Sequence, residues 1–368
     1  MPPDAQGQGN PAAAPVFLGA DLSYINEMED CGGVYRENGQ LVDPFVLFAE
    51  RGANLMRVRL WHTPPNQYSA FPDVQRTIRR AKDAGMQILL DFHYSDHWAD
   101  PSKQVPPAAW EGLTVDGLRD SVYAYTRRVL DRLAEEDLLP EMVQIGNEIN
   151  PGFLLPHGSR DDWAQLGKLL KGGIRAVRDV AKERETRIDV MLHVAQPEHA
   201  MSWFAEAARA GVEDYDLMGI SYYGRWSSVP LAELSGRIEA LVSSFAPRDL
   251  LVVEAAYPWT LAGADSANNI MDGEGVEPGY PATPEGQKAY LIDMTQAVFD
   301  GGGIGMVYWE PAWISTSCST PWGKGSHWEN ATFFDFNAGN EVLPGIDFMN
   351  HAYDFPEGRS SPFPNRVR

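Results

Sequence analysis

Short apolar runs alternate with longer helical patterns about eight times along the 368 residues, and this alternation limits the fold more than any other feature. The candidate strands are 16–20, 54–61, 86–92, 142–147, 188–194, 216–222, 249–254 and 304–309. Helical patterns fall near 44–52, 72–85, 115–136, 161–183, 199–210, 229–245 and 284–300. In the helix from 161, Trp163, Leu166, Leu169, Leu170, Ile174 and Val177 recur at three- and four-residue steps as one apolar stripe. Ser159, three residues before Asp162, reads as its capping box. Continuously apolar strands separated by helices make a parallel sheet covered on both faces. Eight such units favour a single closed (β/α)8 TIM barrel over an open doubly wound sheet. No glycine-rich fingerprint follows the first strand, which argues against a dinucleotide-binding fold. Residues 1–15 read as a leader or linker, 16–355 as one catalytic barrel and 356–368 as a tail.

In barrels of this kind the chemistry gathers at the C-terminal ends of the strands. There the chain carries Asp21 after the first strand, Arg57 and Arg59 on one face of the second, and Asp91 and His93 at the third. Asn147 and Glu148 close the fourth strand, His193 the fifth, and Ser221, Tyr222 and Tyr223 the sixth. Glu254 closes the seventh, and Trp309 and Glu310 the eighth. One polar strand end is readily a structural salt bridge. Polar residues at all eight, where buried charge is costly, point to a functional site.

Two glutamates at the ends of strands four and seven suit retaining cleavage of a glycoside, which needs two carboxyl groups ~5–5.5 Å apart. One must hold a proton for the leaving oxygen, and the other must be ionised to attack. Arg57, Arg59 and Tyr223 are expected to hold Glu254 anionic, which leaves Glu148 as acid/base and Asn147 to reach the sugar 2-hydroxyl. Trp98, Trp309 and Trp313 lie just past strand ends and are candidate sugar-stacking platforms. The 11 tryptophans fit both a carbohydrate cleft and a large core. A formal net charge of −21 excludes nucleic acid and anionic membranes as main partners and favours a neutral polymer.

Several blocks together resemble glycoside hydrolase family 53, the endo-β-1,4-galactanases of clan A. They are Arg57-Val-Arg59-Leu-Trp61, Asp91-Phe-His93-Tyr-Ser-Asp96-His-Trp98-Ala-Asp100-Pro101 and Gly146-Asn147-Glu148-Ile149. Further on come Val253-Glu254-Ala-Ala-Tyr257-Pro258-Trp259, Pro284-Glu-Gly286-Gln287 and Tyr308-Trp309-Glu310-Pro311-Ala-Trp313. The resemblance implies Glu148 as acid/base, Glu254 as nucleophile, a secreted or periplasmic location and galactan as the neutral polysaccharide partner. Ala255 departs from the threonine that usually follows the family's nucleophile. A β-mannanase would share both glutamates, and a non-catalytic galactan-binding barrel would share the fold. Retention of both carboxylates argues against the latter.

No cofactor is expected for the chemistry. Bacterial relatives hold a calcium ion between the loops after strands seven and eight. Asp265, Asn269, Ser326 and Glu329 match part of that ligand set, while Gly263 and Ala267 stand where two further ligands would be. Cys31 and Cys318 fall in the first and last barrel units, which closure makes neighbours. A disulfide and two free thiols both fit, and spacing does not decide between them. A monomer is expected, although no motif specifies the oligomeric state.

Overall fold

A computed structural model describes residues 16–355; the expected leader and tail lie outside the described residues. Eight parallel strands close into a barrel. They are β1 (Phe17–Asp21), β2 (Leu55–Leu60), β3 (Gln87–Phe92), β4 (Met142–Ile145), β5 (Asp189–Ala195), β6 (Leu217–Tyr222), β7 (Asp249–Ala255) and β8 (Gly305–Tyr308). Each pairs with its sequence neighbour, and β8 closes onto β1. Helices α1 (Ile25–Asp30), α2 (Pro44–Glu50), α3 (Phe71–Asp83), α4 (Val115–Ala134) and α5 (Trp163–Glu183) lie in the first half. The second half carries α6 (Pro197–Arg209), α7 (Leu231–Phe245) and α8 (Pro284–Asp300). The strands and helices α2 to α8 follow the expected alternation. The one-turn-and-a-half helix α1 was not expected, being too short to show a period.

Strand alternation divides the core in two. Outward residues such as Ile88, Leu90, Val143, Val190 and Val252 pack beneath the helices. Inward residues Phe17, Leu55, Leu89, Met142, Met191, Leu217 and Leu251 fill the lower barrel as a separate cluster. Two residues further along β2, β3, β4 and β5, and four further along β1 and β6, the same column turns polar. Asp21, Arg57, Asp91, Gln144, His193 and Ser221 thus share the upper interior.

Strand β7 reaches that layer by another route. Ile220 of β6 pairs with Val252, whereas Ser221 pairs with Glu254, so one extra residue is inserted at Val253. Val253 stays in the apolar interior cluster. The bulge then turns Glu254 inward as well, where strict alternation would turn it out.

The amino end of α5 differs from expectation. The helix starts at Trp163, and Asp162 is its N-cap, accepting from the Gln165 N–H at 3.2 Å. Ser159 instead accepts from the Asp161 N–H at 3.1 Å. Aspartate supplies the acceptor three positions nearer the first free amides, so it takes the cap.

Cys31 and Cys318 form a disulfide, with their Cα atoms 5.9 Å apart. It ties the end of α1 to the loop after β8. A four-stranded sheet, also unforeseen, joins Tyr35–Glu37 and Gln40–Val42 to Phe334–Asp335 and Glu341–Val342. Its strands are two or three residues long, too short for a sequence period.

Candidate active site

Arg57 is the centre of the upper layer. Buried inside the barrel, it donates to Asp21 at 3.1 Å, Glu254 at 2.7 Å, Asp91 at 2.8 Å, Asn147 at 2.7 Å and Gln144 at 3.2 Å. A lone buried guanidinium would be very costly, and the surrounding carboxylates offset that cost. Its own proton is held more firmly than usual, because Asp91, Glu254 and Asp21 outweigh the burial that opposes it.

Glu254 accepts from Arg57 through one oxygen and from the Tyr223 hydroxyl, at 3.0 Å, through the other. Arg59 was also expected here. It pairs with Glu310 instead, and stacks on the Tyr24 and Trp98 rings at 4.2 and 4.5 Å. Two residues along β2 move it one layer up, over Glu310 and out of reach of Glu254.

Glu148 stands on the turn after β4. Gly146 has φ +81°, and Glu148 itself has φ +45°, a left-handed conformation that side chains rarely take. Tyr94, Gln196 and Glu310 do the same just past β3, β5 and β8. Such backbone costs about 1–3 kcal/mol per residue and is found where surrounding contacts fix a functional group. The turn brings Glu148 over the barrel mouth, half-buried, with Oε1 accepting from the Ser221 hydroxyl at 2.5 Å.

One carboxylate oxygen from each of Glu148 and Glu254 and a ring nitrogen of His193 lie within 4.8 Å of one another. That spacing suits direct attack by one carboxylate, and is too close for the ~6.5–9.5 Å that admits an inverting water. Burial raises the pKa of both carboxyls. The charge of Glu254 pushes Glu148 further up, while Arg57 opposes the rise at Glu254. The proton shared by the pair therefore rests first on Glu148.

The other expected residues hold this pair in place. Asp91 accepts from His93 at 3.0 Å and from Gln144 at 2.7 Å. His93 accepts in turn from the Trp61 ring N–H at 3.1 Å. The Asn147 amide donates to the Ala99 carbonyl at 2.8 Å, and Gln104 clamps the Asn147 carbonyl at 2.7 Å. One amide hydrogen of Asn147 remains for the cleft that it lines. His193 is buried, and burial together with Arg57 keeps it neutral.

The cleft above holds about 660 Å3. Trp98 and Trp309 line it, as expected, although Trp309 is only 8% exposed. Trp313 does not line it. At 0% exposure it stacks behind Tyr24, with ring centroids 4.2 Å apart, and cannot meet a sugar. Trp322 and Trp226, at 42% and 47% exposure, are the open indoles of the cleft and were missed. Trp226 sits on a turn after β6 and Trp322 in the tip of a short hairpin, where neither period nor barrel-strand end marks them.

The four loop residues considered for calcium do come together. Asp265 already accepts from the Ser326 and Ala267 N–H groups, at 3.0 and 2.7 Å, and from the Ser315 hydroxyl. Ser326 donates its hydroxyl to the Trp313 carbonyl at 2.7 Å. Glu329 accepts from the Ala264 N–H at 3.0 Å. Only Asn269 Oδ1 and Glu329 Oε2 are buried without partners, against the six to eight oxygens that calcium takes. The set does not fit that ion.

Comparison with known proteins agrees with this geometry. Residues 17–349 match the family model "Glycosyl hydrolase family 53". An arabinogalactan endo-β-1,4-galactanase of Cellvibrio japonicus is 49% identical over 346 residues, 92% of each chain. An endo-β-1,4-galactanase of Bacillus subtilis is 33% identical, covering 91% of this chain and 85% of its own. The GH53 catalytic domain of Ignisphaera aggregans superposes with a TM-score of 0.84 at 34% identity, covering 94% of this chain and 100% of that one. A fully matched barrel with two carboxylates set for retention leaves one assignment: the chain belongs to glycosyl hydrolase family 53.

Proposed function

We propose that this protein is a retaining endo-β-1,4-galactanase that cuts the β-1,4-galactan side chains of pectin internally. The observation that carries the mechanism is the Glu148–Glu254 approach within 4.8 Å, supported by the galactanase names of the relatives. Glu254, anionic beside Arg57, attacks the anomeric carbon. The bond to the leaving galactan oxygen breaks as that oxygen takes the Glu148 proton. Water then adds to the anomeric carbon and passes a proton to Glu148, and the Glu254–sugar bond breaks. Asn147 is read as the donor to the sugar 2-hydroxyl, with Trp98, Trp322 and Trp226 as stacking surfaces. No step needs a metal, and the Asp265–Glu329 cluster is read as a tie between two loops.

Residues 16–355 are read as one catalytic domain. A secreted or periplasmic location is supported by the disulfide, which suits an oxidising compartment. Among the described residues no helix is long and apolar enough to cross a membrane. The test is hydrolysis of galactan, mannan, xylan and cellulose, followed by reducing-sugar release and viscosity. Galactan should lose viscosity early and give an oligosaccharide ladder before free galactose. Faster cleavage of mannan, or galactose alone from the start, would overturn the assignment.

A further inference from the structure

Ser221 lies at the inward end of β6, buried, between the ring of His193 and the carboxyl of Glu148. We propose that Ser221, fixed by His193, is a positioning residue that determines which oxygen of Glu148 carries the catalytic proton. The proposal rests on the reading of Glu148 as acid/base.

Ser221 has one hydroxyl hydrogen and two polar neighbours. An ionised carboxylate only accepts, so the hydroxyl donates to Glu148 Oε1 at 2.5 Å. It must then accept from His193 Nε2–H at 2.9 Å, and this sets the tautomer. The bare Nδ1 accepts from the Glu148 backbone N–H at 3.3 Å, the contact that favours this tautomer over one in which Nδ1–H donates to Asn147 Oδ1 at 3.0 Å. One neutral imidazole thus grips Glu148 twice, through its main chain and, by way of Ser221, through its side chain. The grip also holds the left-handed turn at Glu148. When Glu148 takes up its proton, Oε1 still accepts from Ser221 as a carbonyl. The proton is left to Oε2, the oxygen that Ser221 does not occupy.

The charged and titratable groups facing Glu148 are Glu254 from β7, Arg57 from β2, Asp100 from the loop after β3, His193 from β5 and Tyr223 from β6. Removing the Ser221 hydroxyl leaves those groups in place and takes away one donor to the ionised form. The alkaline limb of the pH profile, which reports Glu148 losing its proton, must then move to higher pH.

The experiment compares Ser221→Ala, Ser221→Thr and Ser221→Cys with the wild-type chain on galactan and on 2,4-dinitrophenyl β-galactobioside, whose leaving group needs no proton. Thermal melting confirms the fold of each. Ser221→Ala should lower kcat on galactan about tenfold to a hundredfold, the scale of one hydrogen bond to a charged group. It should raise the alkaline limb and spare release of dinitrophenolate. Ser221→Thr, which restores the hydroxyl, should return the limb. Ser221→Cys, a weak donor of similar volume, should fall between, and carries the test if alanine does not fold. An unmoved alkaline limb, or equal losses on both substrates, overturns the proposal. Azide rescue of Glu148→Ala on the same activated substrate checks the underlying reading separately. If rescue fails, the acid/base assignment falls and the proposal with it; if rescue succeeds and the limb stays, only the Ser221 role falls.

Discussion

Arg57 and Arg59 differ by one step along a single strand face, yet they do different work. Arg57 touches the nucleophile, while Arg59 pairs with Glu310 beneath the Trp98 wall. Arg57→Met should raise the acidic limb of the activity profile, because Glu254 loses the cation that favours its ionised form. Arg59→Met should leave that limb in place and raise KM for long galactan. Either change strands a buried carboxylate and should cost about 3–5 kcal/mol in denaturant unfolding. A shifted acidic limb in Arg59→Met would return Arg59 to the nucleophile. Glu148→Ala should fall several orders of magnitude on galactan and, with an activated substrate, regain turnover when azide is added. The product there should be the β-galactosyl azide, whereas any azide-dependent turnover of Glu254→Ala should give the α-azide by a single displacement.

Among the elements, the loop after β8 is fastened at several points. Cys318 anchors it to α1, the His327 ring Nδ1–H donates to the Asn268 carbonyl at 2.8 Å, and Asp265 binds Ser315 and Ser326. The hairpin strands Ser319–Thr320 and Gly323–Lys324 flank Trp322, which faces the cleft. The disulfide closes a loop of 287 residues, so its loss should cost about 2–5 kcal/mol through the unfolded chain. Cys31→Ser with Cys318→Ser should lower Tm by several degrees and raise KM for polymer more than for galactobiose derivatives. Equal KM values on both substrates would mean that the tether does not hold Trp322. Because Asp265 and Ser326 are already satisfied within the protein, a chelator should leave Tm unchanged; a clear fall would reinstate a bound cation.

Across the whole molecule, the pH profile joins the two carboxyls. Activity needs Glu254 ionised and Glu148 protonated, so it rises as pH climbs through the first pKa and falls as pH passes the second. Burial lifts both above the ordinary carboxylate range, and the Glu254 charge lifts Glu148 further. The optimum should therefore lie above pH ~4.3, the ordinary glutamate value. A kcat/KM profile whose alkaline limb falls below that value would contradict the assignment. The net charge of −21 adds a second expectation. Unesterified polygalacturonate should neither bind nor inhibit at low salt, since like charges repel over a Debye length of ~10 Å at 0.1 M.

Much of this was legible in the residues. Eight buried strands read as apolar runs because both faces are covered, and helices α3 to α8 read from their stripes. Asn147-Glu148 and Glu254 were legible because catalytic groups in a barrel must stand at strand ends. Tertiary structure decided what depends on neighbours brought from far along the chain. The bulge at Val253 aims Glu254, one layer of pleat gives Arg57 and not Arg59 to it, and packing against Tyr24 withdraws Trp313 while Trp322 and Trp226 stand open. The Cys31–Cys318 bond likewise needed the barrel to close before its partners met. Periodicity reports which face of its own element a residue occupies. The identity of what it touches is set by long-range register, which local sequence does not encode.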